Sequence, residues 1–241
     1  MPASAIVVQQ PQKPAQLVLL FHGVGAQAVS MQPLAQRIAA AFPQGMVVCI
    51  NAAHPSDFPG GFQWFSVVGI TEDNRQARVN QAMVAFVDCI HHWQTQAGLG
   101  AEATALVGFS QGAIMALEST KLVATDDPQR SVAPAGRVLA IAGRYATLPD
   151  SAAYRGTVHL LHGKQDAVIA YDHTVLAAHR LRSLDIDFTA EVRPGIGHEV
   201  HPEFADALVD RLQSHISHHL MNEGVRGATA EPSTPPGNST P

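Results

Sequence analysis

The segment TALVGFSQGAIMALESTKL, residues 104–122, decides the fold. Its first six residues, Thr104–Phe109, are a short apolar run of the length of a buried strand. From Gln111 onward the composition turns to strong helix formers, and residues 111–122 are expected to be helical. Between the two lies Gly108-Phe109-Ser110-Gln111-Gly112. A strand that passes straight into a helix turns so tightly that side chains beside the apex collide, and glycines at 108 and 112 remove them. Ser110 is then held at the end of the strand, facing solvent, with a helix N-terminus beside it. Such a five-residue pattern arises by chance about 0.1 times in a chain of this length. The strand before it and the helix after it supply the specificity.

Working outward, the same alternation covers most of the chain. Strands are expected at Ala5–Gln9, 17–22, 46–51, 137–142, 157–162 and Asp187–Arg193. Several are continuous apolar runs, the pattern of strands covered on both faces. Helices are expected at 30–42, with Ser30 as cap, and at 71–93, where Thr71, Glu72 and Asp73 suit a helix start. Further helices are expected at 172–184 and, opening on Pro202, at 202–220. Strand–helix alternation at this spacing implies parallel strands joined by right-handed crossovers. The first two strands, separated by Pro11 and Pro14, are expected to form an antiparallel edge pair. Residues 1–221 are read as one domain. Residues 222–241, rich in Gly, Pro, Ser and Thr, are read as a disordered tail, since they bury too little apolar surface to offset their ordering entropy.

A serine hydroxyl needs an adjacent base to act as a nucleophile. After Ser110, Asp166 follows the strand at 157–162 at a Gly turn, His162-Gly163-Lys164-Gln165-Asp166. His198 follows the strand Asp187–Arg193 in the loop Pro194-Gly195-Ile196-Gly197-His198. All three residues fall at C-terminal strand ends, the edge where open α/β sheets bind ligands. The sheet therefore brings together an alcohol, an imidazole and a carboxylate that are distant in sequence. Asp172 is the alternative acid and His201 the alternative base. The loop Phe21-His22-Gly23-Val24-Gly25 also follows a strand. The N–H groups of Val24 and Gln111 are assigned to an oxyanion hole, and His22 is read as ordering its loop.

These motifs, His22-Gly23-Val24-Gly25, Gly108-Phe109-Ser110-Gln111-Gly112, His162-Gly163 with Asp166, and Gly197-His198, together resemble the phospholipase/carboxylesterase family, which includes bacterial carboxylesterases and acyl-protein thioesterases. The resemblance spans residues 17–220 in the expected order. It implies the α/β-hydrolase fold, with a mostly parallel central sheet, helices on both faces and an antiparallel N-terminal edge. It also implies a Ser110–His198–Asp166 triad hydrolysing carboxylic esters or thioesters. Gly60-Gly61-Phe62-Gln63-Trp64-Phe65 is similar to the aromatic loop that this family places near its acyl pocket, so Trp64 and Phe65 are assigned to the substrate pocket, with plain core packing as the alternative. Family members often carry an aspartate where this chain has Ala26.

Composition sets the remaining bounds. The 241 residues are 46% hydrophobic and 15% charged, with a formal charge of −5. The absence of any basic run argues against nucleic acid. The longest apolar stretches are about five residues, where a membrane span needs about 20, and the N-terminus does not read as a secretory signal. Cys49 and Cys89 sit in apolar stretches and read as free buried thiols, which fits a reducing cytoplasm. His215, His218 and His219 have spacing that could chelate a metal, but a solvated helix end accounts for them. The expectation is a cytoplasmic serine carboxylesterase, a monomer or homodimer, acting on a small-molecule acyl ester without metal or organic cofactor. An acyl-protein thioesterase or lysophospholipase type of hydrolase, an acyltransferase on the same machinery and a non-catalytic binding homologue are the alternatives.

Overall fold

The computed structural model describes residues 4–122 and 133–214. In chain order the elements are β1 (Ala5–Gln9), β2 (Gln16–Phe21), α1 (Gln32–Ala41), β3 (Gly45–Ile50), β4 (His54–Pro55), β5 (Phe62–Gln63), α2 (Glu72–Ala97), β6 (Thr104–Phe109), α3 (Gln111–Ser119), β7 (Arg137–Ile141), β8 (Thr157–Gly163), α4 (Asp172–Ser183), β9 (Asp187–Arg193) and α5 (Pro202–Ser214). The main sheet has seven strands in the order β1-β3-β2-β6-β7-β8-β9. Every pair in it is parallel except β1 with β3.

Strand side chains alternate between two cores. Leu17, Leu19 and Phe21 join residues of α2, α3 and α4 on one face. Val18 and Leu20 join α1 and α5 on the other. This two-sided burial is why β2, β3 and β6 read as unbroken apolar runs. Cys49 belongs to one core and Cys89 to the other. The sheet separates the two thiols, both are free, and burial pushes each up to about 12.

Three expectations are corrected. β1 pairs with β3 and not with β2, because β2 lies between two parallel neighbours, β3 and β6, and has no open side. β1 is half-exposed along its length, as suits an edge strand. Ser30 does not cap α1: its hydroxyl donates to the Gln27 carbonyl, a short 3-10 turn Ala28–Met31 intervenes, and Met31 precedes the helix without a side-chain cap. The second helix runs on to Ala97 and ends where Gly98 adopts φ 66°, a left-handed cap that glycine adopts without strain. At its start Thr71 and Asn74 form a reciprocal capping box. The expected tail 222–241 and the histidines at 215, 218 and 219 lie outside the described residues. Among the described residues no helix is long and apolar enough to cross a membrane.

Candidate active site

β6 delivers Ser110 to the C-terminal edge of the sheet. The serine adopts φ 52° and ψ −117°, a strained conformation for a residue with a side chain. The glycines around it are required by contact. A Cβ on Gly108 would lie 2.5 Å from Ala113 Cα, and one on Gly112 would lie 2.3 Å from the Phe21 carbonyl oxygen. Gly143, which the sequence reading did not single out, meets the same wall, since its Cβ would sit 2.4 Å from Ala113 Cβ. The Ser110 N–H donates to the Ile141 carbonyl at 3.0 Å, which locks the apex to β7. Only 7% of Ser110 is exposed, and it sits at the positive end of α3.

The predicted base and acid converge on this serine. His198 Nε2 is 2.9 Å from Ser110 Oγ, and His198 Nδ1 is 2.7 Å from Asp166 Oδ2. Asp166 Oδ1 accepts the N–H groups of Val168 at 2.8 Å and Ile169 at 2.9 Å. His162 Nε2 lies 3.1 Å from Oδ2. Burial by itself raises the Asp166 carboxyl, but the bonds from His198, Ile169 and Val168 outweigh it and hold the group below its ordinary range. The alternatives fall away on geometry. Asp172 is exposed in the first turn of α4, and His201 Nδ1 accepts the Glu203 N–H at the start of α5.

The loops that carry acid and base are laced together. Gln165 donates its N–H to the Ile196 carbonyl at 2.9 Å, and its side-chain oxygen accepts the Gly195 N–H at 2.6 Å. Gly163 permits this approach, because a Cβ there would lie 2.3 Å from the Ile196 oxygen. Phe109, the last residue of β6, places its ring 5.0 Å from the His198 ring and so packs against it.

The other side of Ser110 is made of backbone. Val24 follows β2 and Gln111 opens α3. Among the described residues the N–H of neither is engaged in a hydrogen bond. The Val24 loop is paired with the aromatic loop: Gly25 N–H donates to Phe62 O at 2.9 Å, and Phe62 N–H donates to Ala26 O at 2.8 Å. At Ala26, then, backbone bonds secure the loop. His22 is fully buried between two backbone partners. Its Nε2 accepts the Ala52 N–H at 3.0 Å, which leaves Nδ1–H to donate to Gly23 O at 2.6 Å. Burial lowers its pKa, and the ring stays neutral.

Gln111 contributes more than the N–H assigned to it. Its side chain is buried, accepts the Trp64 N–H at 2.8 Å and donates to the Phe65 carbonyl at 2.6 Å. Trp64 Nε1 donates to His22 O at 2.9 Å and packs edge-on against Phe21 and Phe86. Gln111 thus ties the aromatic loop, and through it the Val24 loop, to its own helix start. No sequence pattern signals this clamp, because its partners are main-chain groups. Trp64 and Phe65 are 4% and 5% exposed, so both are packed in the core beside the site. A separate cavity of about 330 Å³, lined by Met83, Val87 and Leu122 among others, lies beyond the far end of α3 from Ser110.

The model of the phospholipase/carboxylesterase family matches residues 2–219. An esterase of Escherichia coli (strain K12), YpfH, is 46% identical over 222 residues, which are 92% of each chain. The crystal structure of esterase PE8 superposes with a TM-score of 0.76 at 27% identity, covering 88% of this chain and 97% of that one. The structure of Zea mays acyl-protein thioesterase 2 gives 0.65 at 19% identity over 87% and 97%, a likeness of fold.

Proposed function

Because the chain belongs to the phospholipase/carboxylesterase family and is a hydrolase acting on ester bonds, we propose that it works through an acyl-serine intermediate formed on Ser110. Ser110 Oγ attacks the acyl carbonyl while His198 Nε2 takes its proton. Asp166 orients the imidazole and stabilises its charged form. The Val24 and Gln111 N–H groups receive the oxyanion of the tetrahedral intermediate. His198 then protonates the leaving alkoxide. Water, deprotonated by the same ring, attacks the acyl-enzyme, the acid departs and Ser110 regains its proton.

The observation that carries this reading is the unbroken line Ser110 Oγ–His198–Asp166, at 2.9 and 2.7 Å. Ser110→Ala is expected to lower kcat by on the order of 10⁴ or more. A purified variant that retains half its activity removes Ser110 from the mechanism. A fluorophosphonate labels the folded wild-type protein at Ser110 and leaves the alanine variant unlabelled; wild-type protein that stays unlabelled favours a non-catalytic binding role.

The substrates proposed are small carboxylic esters, with Trp64 and Phe65 backing the wall of the acyl pocket. Thioesters are the second reading. A hydrolysis screen of ester and thioester chains of graded length, with Ser110→Ala as control, separates the two. Product analysis with added alcohols detects acyl transfer. The machinery proposed uses no metal or organic cofactor, resides in one domain over residues 1–221, and acts as a monomer or homodimer. The two buried free thiols support a cytoplasmic location.

A further inference from the structure

We propose that His162 is a positioning residue for the triad acid, a neutral imidazole whose Nε2–H holds the Asp166 carboxylate in line with His198. The proposal rests on the triad reading above. His162 lies in β8, which is buried along its whole length, four residues before Asp166, and both side chains are 0% exposed. Its Nε2 lies 2.9 Å from the Ile169 carbonyl oxygen and 3.1 Å from Asp166 Oδ2. Neither partner has a proton to give, so Nε2 carries one. The opposite nitrogen, Nδ1, is 2.8 Å from Thr174 Oγ1 in α4 and accepts the hydroxyl proton. The Ile169 carbonyl and the Asp166 carboxylate, both acceptors, thereby place the proton on Nε2, and the Thr174 hydroxyl serves the other nitrogen.

The consequence falls on the carboxylate. Asp166 receives two backbone N–H groups on Oδ1, His198 on Oδ2, and on the same oxygen a share of the His162 Nε2–H, which is also directed at the Ile169 carbonyl. Donors on both oxygens restrain the carboxylate against turning away from His198. The neutrality of His162 matters equally. The charged and titratable groups around it are Asp166 and His198, with His173 more distant. A positive His162 would compete with His198 for the same oxygen and oppose the imidazolium formed in the reaction. Burial acts against that charge. The arrangement thus puts two imidazoles on one carboxylate and lets only His198 take up a proton during turnover.

Nitrogen-15 NMR of the wild-type enzyme tests the tautomer without any substitution. At about pH 7–8 His162 is expected to be neutral and protonated on Nε2. A ring that becomes imidazolium in that range, or carries its proton on Nδ1, overturns the proposal. Two variants test the consequence, with kcat and KM measured against pH on a p-nitrophenyl ester. His162→Leu, which removes the donor, is expected to lower kcat about tenfold with KM changed less than twofold. A carboxylate relieved of one donor holds a protonated partner ring more tightly, so the acid limb of kcat/KM is expected to move up by roughly half a pH unit. His162→Gln, whose amide N–H reaches the same oxygen, is expected to restore the limb and most of kcat. A leucine variant with unchanged kcat and limb overturns the proposal. So does one whose kcat falls at every pH with the limb fixed and glutamine giving no rescue. The triad reading fails on a different result, Ser110→Ala retaining activity, and fluorophosphonate labelling of Ser110 persists in both His162 variants.

Discussion

The two sides of Ser110 are built from different materials. On the base side of the proposed mechanism, His198 and Asp166 present side chains from loops after β9 and β8, and ionisation is the working principle. On the amide side, the proposal uses the backbone N–H groups of Val24 and Gln111, and a neutral lattice of Gln111, Trp64 and His22 ties their loops together. The base side needs particular atoms that gain and lose protons. The amide side needs dipoles already aimed before charge develops, because their value lies in not reorganising. Damage to the first is a loss of chemistry, and damage to the second is a loss of alignment.

That contrast is open to attack at several points. The largest effect is expected at Asp166→Asn, which preserves shape but supplies a donor where His198 Nδ1–H needs an acceptor. A fall in kcat of on the order of 10⁴ is expected, with the melting temperature changed little by comparison. A fall of less than tenfold would mean that the base side does not work through this carboxylate. Gln111→Ala comes next. It leaves the N–H at 111 in place but frees the Trp64 N–H and the Phe65 carbonyl inside the protein. Stability is expected to fall by about 1–3 kcal/mol for each buried group left unpaired, measured by urea unfolding. A fall in kcat of about 10², at nearly constant KM, is expected from misaligned donors. Full activity with lost stability would show that the lattice supports the fold and not the alignment.

The smallest effect concerns acid stability, where the two sides behave alike, since each buries one neutral imidazole. His22 and His162 are both held below the ordinary 6.5, with burial the leading cause. The unfolded chain takes up these protons near 6.5 and the folded chain resists them. Their contribution is therefore intact above 6.5 and is lost as the pH falls below it. Each contributes at most about 1.4 kcal/mol per pH unit in that window. A melting temperature that declines from pH 7 to pH 5 is expected. A flat profile would mean that neither ring is neutral in the folded state.

The base side was the more legible in the sequence. Ser110, Asp166 and His198 each follow a strand and each has a side chain with one plausible chemistry, so position and residue type agree. The amide side was half legible. A glycine-rich loop announces a backbone turn, and Val24 and Gln111 were placed from that signal. The clamp made by the Gln111 side chain was not legible, because its partners are main-chain atoms 46 and 47 residues away and main-chain atoms carry no residue identity. The partner of β1 was missed for a related reason. Nearness along the chain suggested β2, while the choice was made by which strand retained an open edge. His162 was quoted in a motif, but its role appears only once its two nitrogens have partners.

The two cysteines have a practical consequence for anyone handling this enzyme. With Cys49 and Cys89 on opposite faces of the sheet, and each thiol pushed up to about 12, neither offers a thiolate at neutral pH. Activity is therefore expected not to depend on added reductant, and thiol-alkylating reagents are expected to leave both cysteines of the folded enzyme unmodified. The thiols do not compete with Ser110, the proposed nucleophile, for a fluorophosphonate, and the labelled fraction of a preparation is expected to report its competent molecules.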